Sequence, residues 1–390
     1  MTAKRVMVLL IGGRLTPNFI GVLGYDPNVI ECIVSQDEKQ KYQDVLDVLP
    51  SFGLSRQPEF LVDAYDFNAT LNACEQILAR YINAEVIFNV TGGTKVMGIA
   101  AYQTAKKHDC KAIYVDTSHA RFLNMTQFNE EPVPFTLNIT KYLNFFQRSP
   151  VRTFDFKTLS ISQSQALCIA DHLACAGIAT AEMMVLLRTN GGGKKGTHAL
   201  KLKNDLSQEQ WELFESLQQF GLISGLQRSS NEIRYTIANN QDWQFINGTW
   251  LEVYVYEQAE QLRNEGVFSD CEMSLEIPGL SGARKEMDVA CLYLGQMLHC
   301  SCKTENKPFN TRHLDELRAV SSLIGGRYCS RLFITNVFAP TDMSSNEGQS
   351  YQTFLQQAKD REIVVVTGDQ LTNIKAVLRK EAEKPTYWRV

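Results

Sequence analysis

What this chain of 390 residues lacks excludes several function classes. It has no GxxxxGK[ST] loop, and no GxGxxG follows a strand-like run, so neither a Walker-type NTPase nor a dinucleotide enzyme is favoured. Its ten cysteines include no CxxC pair. The nearest two, Cys300 and Cys302, alternate along a strand-like run without a zinc-ligand set beside them, and read as small buried residues of a reduced, cytoplasmic protein. Apolar runs stop short of the ~18 to 20 residues that a membrane span needs. The short one behind Lys4 and Arg5 has no small-residue cleavage site and reads as a first strand rather than a signal peptide. There is no basic excess either: the formal net charge is −4, so any nucleic-acid contact must be local. Composition is 44% hydrophobic and 21% charged, ordinary for a globular chain of two or three domains.

What is present starts with Thr91-Gly92-Gly93-Thr94-Lys95. A strand-like run over 85–90 precedes these residues and a helical pattern over 95–107 follows. A strand, a glycine turn and a helix start present free N–H groups beyond a sheet edge, where two glycines let a phosphate approach and Thr94 and Lys95 add a hydroxyl and a cation. A tight turn without a ligand fits the same residues. Further strands are expected over 5–11, 29–34, 59–62 and 111–115, and helices over 39–49 and 69–81, which makes an open, mostly parallel, Rossmann-like α/β sheet. Ligands of such sheets sit outside the carboxyl ends of the strands. Gly12-Gly13, then Thr16-Pro17-Asn18 with Thr16 placed to cap a helix, and Ser35 fall there as well.

Composition changes at Arg148-Ser149-Pro150. Helical patterns over 162–175, 180–187 and 207–220, then strand patterns over 222–227 and 232–237, suggest a small winged-helix-like module over 149–245. Such modules read DNA, space domains or form dimer contacts. Residues 190–196, with Lys194 and Lys195 and with Lys201 and Lys203 beyond, read as a solvated loop or as a phosphate-contacting arm.

After a helix over 250–263 carrying Glu252, strands are expected over 271–277, 284–294 and 297–303. Gly295-Gln296 separates the last two as a two-residue hairpin turn. Leu294 opposite Met297 would set Asp288 opposite Lys303, Ala290 opposite Ser301 and Glu286 opposite Glu305. One face then gathers Glu286, Asp288, Ser301, Lys303 and Glu305, while Met287, Val289, Cys291, Leu298, Cys300 and Cys302 pack the other. A structural Asp288–Lys303 ion pair is one reading of that face.

The polar face resembles the PD-(D/E)xK nucleases, which hold a divalent metal between a carboxylate on one strand and a (D/E)-x-K triplet on the next. Asp288 matches the first carboxylate, Lys303 the lysine, and Glu252 the helix acid. The triplet here is Ser301-Cys302-Lys303, with serine where the family has Asp or Glu. Glu286 could take over, Ser301 could act through water, or the site could be weakened. The resemblance implies Mg²⁺ or Mn²⁺ held by Glu252, Asp288 and the Cys302 carbonyl, with Lys303 supporting the attacking water or the leaving charge.

Both ends together resemble the CARF-domain ancillary nucleases of type III CRISPR systems: Thr16-Pro17-Asn18 and 89–95 on one side, Trp250-Leu251-Glu252, Glu286-Met287-Asp288-Val289 and Cys302-Lys303-Thr304 on the other. The resemblance implies a sensor over 1–148, the middle module over 149–245 and a restriction-endonuclease-like domain over 246–390. It also implies cyclic tetra-adenylate bound across a homodimer by Thr16, Asn18, Gly92, Gly93, Thr94 and Lys95, gating metal-dependent nicking of DNA, with single-stranded RNA or DNA as further substrates. A ligand-gated transcription regulator with a decayed nuclease, and a ring nuclease that cuts its own activator, are the alternatives.

Overall fold

The computed structural model describes residues 4–12, 15–39, 43, 49–117, 119–189, 194–202, 205–280, 282–325 and 329–387. Gly13, most of the helix expected over 39–49, residues 190–193 and Lys203 lie outside them. The chain divides into two compact units, 1–148 and 149–390. No single helix among the described residues is long and apolar enough to cross a membrane.

In the first unit, β1 (Arg5–Ile11), buried beyond Arg5, and the all-buried β2 (Val29–Ser35) lie side by side in parallel. β3 (Ser55–Arg56) and β4 (Phe60–Val62) extend the sheet beyond β2, while β5 (Glu85–Asn89) and β6 (Lys111–Asp116) continue it beyond β1. An antiparallel hairpin of β7 (Arg121–Asn124) and β8 (Asn129–Pro132) closes the far edge. That hairpin gives little sequence signal, because β8 is the polar run Asn-Glu-Glu-Pro.

Val6, Val8, Leu10 and Phe88 pack against the helices Phe67–Arg80 and Lys95–Lys107. The fully buried Glu31 is held by Arg80 and the Tyr81 hydroxyl, each at 2.8 Å, as a buried charge must be. The first helix, Thr16–Tyr25, starts differently from expectation. Leu15 already has helical backbone angles and occupies the N-cap, so Thr16 is the first helical residue and makes no capping bond.

In the second unit, residues of the middle module and those after 246 bury their apolar side chains in one cluster, in which Ile169, Met183 and Phe214 join Leu251, Val289 and Leu298. Ser162 and Ser207 each form a capping box, starting the helices Gln163–Cys175 and Gln208–Phe220. The basic stretch is only partly loop. Gly196 and Lys201 are the ends of strand β10 (Gly196–Lys201), which pairs with β12 (Glu232–Ile237), itself flanked by β11 (Ser224–Arg228).

The larger sheet runs β17 (Ile363–Val366), β16 (Cys329–Thr335), β15 (Gln296–Lys303), β14 (Arg284–Tyr293), β13 (Asp270–Pro278) and β9 (Val151–Arg152). The pairs β13–β14 and β14–β15 are antiparallel, and β15–β16–β17 run parallel through the crossover helices Thr311–Ser322 and Asn346–Asp360.

The β14–β15 register departs from expectation by two residues. Leu292 pairs with Met297 and Ala290 with His299, so the turn is Leu294-Gly295, with φ of 46° and 81°, and Gln296 belongs to the strand. Positive φ at both central positions suits the twist of a tight hairpin, and the glycine takes the second of them. A shift of two leaves every side chain on its expected face. Glu286 instead opposes Glu276 of β13, and Glu305, beyond the end of β15, bonds His313.

Candidate functional site

Asp288 is 5% exposed and is the hub of the candidate active site. Its Oδ2 accepts from the Cys302 amide at 2.6 Å, from Lys303 Nζ at 3.1 Å and from Ser301 Oγ at 3.3 Å. These bonds arise because β14 and β15 are adjacent and Asp288, Ser301 and Lys303 share a face; the opposite face, with Val289, Cys300 and Cys302, faces the apolar core. Burial works against the Lys303 cation, but the Asp288 carboxylate outweighs it and raises the lysine pKa above its usual value. Ser301 therefore donates to Asp288 rather than replacing an acid.

Glu252 comes from the first turn of helix Trp250–Asn264, which follows a π turn over Phe245–Thr249. Ser274 Oγ donates to Glu252 Oε2 at 2.8 Å. Burial, then the charge of Asp288, lift the Glu252 pKa well above the carboxylate range. Glu286 has an exposed surface, yet much of its surroundings is protein; desolvation and then Asp288 raise its pKa too.

Ser274 and His299 were not singled out from sequence. Ser274 is buried within β13 at φ 48°, a left-handed conformation that a strand serine rarely takes, and its carbonyl is fixed by the amide and hydroxyl of Thr153. His299 lies on the Ser301 face, hydrogen-bonded to Ser321 Oγ at 3.2 Å, with burial pushing its pKa down to about 4.

Glu252, whose proton affinity is raised by burial and then by the nearby Asp288 charge, forms with Asp288 and one lysine a pocket with spare negative charge. No three His, Cys, Asp or Glu side chains converge as a metal cluster among the described residues. Glu252 and Asp288, with the Cys302 carbonyl, are the hard-oxygen groups here that could hold a metal ion. That suits Mg²⁺ or Mn²⁺, which take one or two carboxylates, better than Zn²⁺.

In the first unit the glycine turn follows β5. A side chain at Gly92 would meet the Leu10 carbonyl at 2.0 Å and Asn18 Nδ2 at 2.9 Å, and one at Gly12 would meet Gly93 Cα at 2.8 Å. Two loops therefore touch backbone to backbone. Asn18, 1% exposed, donates to the Leu10 carbonyl at 3.1 Å, which makes it a brace beneath the turn. Asn89, which opens the 89–95 run that carries the resemblance, donates to the Pro17 carbonyl at 3.1 Å and so ties Thr16-Pro17-Asn18 to the turn. Thr94 caps helix Lys95–Lys107, accepting from the Met97 amide and donating to the Ala64 carbonyl. Lys95, the first helical residue, is exposed, and Thr16 is half-buried. Ser35 is buried as the last residue of β2.

A Rossmann-like sheet with a braced glycine turn, and a mixed sheet presenting Asp, Lys and a helix Glu, define a ligand-sensing fold joined to a PD-(D/E)xK-like nuclease core. Family models agree at both ends: Card1 CARF domain matches residues 6–142 and Card1-like, endonuclease domain matches residues 239–384. The chain thus carries a Card1 CARF domain together with a Card1-like endonuclease domain, consistent with the CARF-domain nucleases of type III CRISPR systems. Among solved structures it is similar to protein VC1899 from Vibrio cholerae (18% identity, 97% of each chain, TM-score 0.75). It is also similar to Can2 from Sulfobacillus thermosulfidooxidans in complex with cyclic tetra-adenylate (22% identity, 98% of each chain, TM-score 0.73). A type III CRISPR defence DNA nuclease activated by cyclic oligoadenylate aligns over 86% of this chain and 45% of its own (15% identity, TM-score 0.50). At these identities the likeness is one of fold. No curated protein gives a significant match.

Proposed function

We propose that this protein is a metal-dependent endonuclease switched on by a cyclic oligoadenylate, with cyclic tetra-adenylate as activator and DNA as the first substrate to be nicked. The observation that carries the reading is the convergence of Lys303, the Cys302 amide and Ser301 on one buried Asp288 oxygen, beside a Glu252 whose acidity is suppressed by burial and then by that carboxylate. Glu252, Asp288 and the Cys302 carbonyl would hold Mg²⁺ or Mn²⁺. That ion would polarise the scissile phosphate and lower the pKa of the attacking water. Lys303, held cationic by Asp288, stabilises negative charge that develops on the phosphate oxygens or the leaving group. Ser301 orients Asp288, and Ser274 orients Glu252.

For the sensor, Lys95 supplies an exposed cation at a helix N-terminus, next to glycines whose missing side chains let the neighbouring loop pack against the turn. Asn18, Gly92, Gly93 and Thr94 shape that turn, with Thr16 alongside. A ring of four adenylates has a two-fold axis available, so a homodimer could present the same turn twice.

The test is conversion of supercoiled plasmid in Mn²⁺, with and without cyclic tetra-adenylate, beside Asp288→Ala. Nicking that needs both the activator and Asp288 supports the reading. Ordinary activated cleavage by the variant would remove the proposed site, and activator binding without cleavage of DNA or RNA would favour a ligand-gated regulator.

A further inference from the structure

Arg188 belongs to helix Ile178–Thr189 of the middle module and is half-buried. A guanidinium has five N–H donors in a rigid planar fork. Here all five are used on three residues of the nuclease part. Nε donates to Asn247 Oδ1 at 2.8 Å and Nη2 to the Asn247 carbonyl. Nη2 also donates to Thr304 Oγ1 at 2.7 Å, while Nη1 donates to the Thr304 carbonyl and to Asn306 Oδ1, the latter at 3.3 Å. Thr304 Oγ1 in turn donates to the Asn247 carbonyl at 2.9 Å.

The positions of these partners matter more than their number. Asn247 lies in the π turn that launches helix Trp250–Asn264, and so sets where Glu252 begins its helix. Thr304 follows Lys303 at the end of β15, where pairing to β14 no longer holds the strand. Glu252 and Lys303 thus sit on separate elements whose nearest ends are tied by one side chain from a third. A lysine could not replace it, having three donors and no fork.

We propose that Arg188 is a positioning residue that clamps the Glu252 helix to the Lys303 strand, giving the middle module a role in assembling the active site. This rests on the nuclease reading above.

Amide hydrogen exchange tests the clamp without requiring activity. In Arg188→Ala, exchange over residues 245–252 and 300–306 should quicken about tenfold or more, while 286–291 in the sheet stays protected. The activated cleavage rate should fall about 10- to 100-fold, the scale of a 1 Å misplacement, at unchanged KM and activator affinity, and R188K should recover only part of it. Leu213→Ala, a core truncation in the same module, should lower stability without this local pattern or rate loss. If Arg188→Ala does not fold, Thr304→Val removes one acceptor and should show a smaller version of the same effect. Unchanged exchange at the two segments, or equal quickening in the Leu213 control, overturns the clamp. Absence of cleavage in the parent protein would instead count against the nuclease reading and leave the exchange result to decide the clamp.

Discussion

Replacing Ser274 separates a hydroxyl from a backbone conformation. The hydroxyl is the hydrogen-bond donor found on Glu252, at 2.8 Å, and it opposes the rise in that residue's pKa. A hydrogen bond to a charged carboxylate is worth about 1.5–3 kcal/mol. At about 1.4 kcal/mol per decade, losing it should weaken Mn²⁺ binding roughly 10- to 100-fold, which is also the range seen when a metal ligand loses its outer partner. The backbone acts in the opposite sense. Ser274 has φ 48°, which is strained for any residue with a Cβ and free for glycine. Ser274→Gly should therefore be more stable than Ser274→Ala by about 1 kcal/mol, while both lose metal affinity alike. Calorimetric titration of Mn²⁺ and urea unfolding of the two variants would measure both effects. Metal affinity within twofold of the parent in both would refute the assignment of Ser274 to Glu252, and a more stable alanine variant would refute the backbone argument.

Lys95→Ala should fold within about 0.5 kcal/mol of the parent, being an exposed surface change, yet bind cyclic tetra-adenylate about tenfold or more weakly for want of a charge-assisted contact; titration calorimetry decides. Gly92→Ala would drive a methyl group into the Leu10 carbonyl, 2.0 Å away, so it should cost about 2 kcal/mol or more by overpacking and abolish activator binding, read by urea unfolding and titration. His299 is buried with its pKa depressed to about 4 against an ordinary 6.5. The unfolded chain then binds the extra proton first, so the contribution of this residue is whole above about pH 6.5 and drains away as pH falls toward 4, by about 3 kcal/mol in all. His299→Gln should flatten the fall of the melting temperature across that window, and an identical acid limb in the two proteins would refute the shift.

The sensor's strands were legible because buried parallel strands are written as short runs dominated by Val, Ile and Leu, and helix Lys95–Lys107 because its cap, Thr94, stands beside the glycines. The β7–β8 hairpin was not, because a polar edge strand carries no periodic signal. At the nuclease end, face membership survived a wrong register, since alternation depends only on parity and Leu294-Gly295 moved the turn by an even shift. Arg188 and Ser274 were invisible for a shared reason. Each acts on groups far along the chain, Arg188 on the Thr304 carbonyl and Ser274 on the Glu252 carboxylate, and nothing local to its own sequence marks that use.

The serine at 301 then has a physical account. Asp288 Oδ2 already receives the Cys302 amide and the Lys303 ammonium, and Ser301 adds a third donor. An acid at 301, 8% exposed, would bring another carboxylate against Asp288 and Glu252, and Glu252 is already pushed well above its usual pKa by burial and by Asp288. Like charges so placed ionise only together with a cation. With Ser301 the pocket keeps two buried carboxylates, one supplied from helix Trp250–Asn264, against the single Lys303, with the exposed Glu286 at its edge, so the excess charge among the buried groups is one unit. Ser301→Asp adds a second unit: it should tighten Mn²⁺ binding while making the metal-free protein less stable as pH rises, because an acid whose folded pKa is raised loses protons more readily once unfolded. Melting curves from pH 5 to 8, with and without Mn²⁺, would show that the variant's stability deficit grows with pH and closes on metal addition; a deficit that is flat in pH would mean the aspartate is not buried against Asp288.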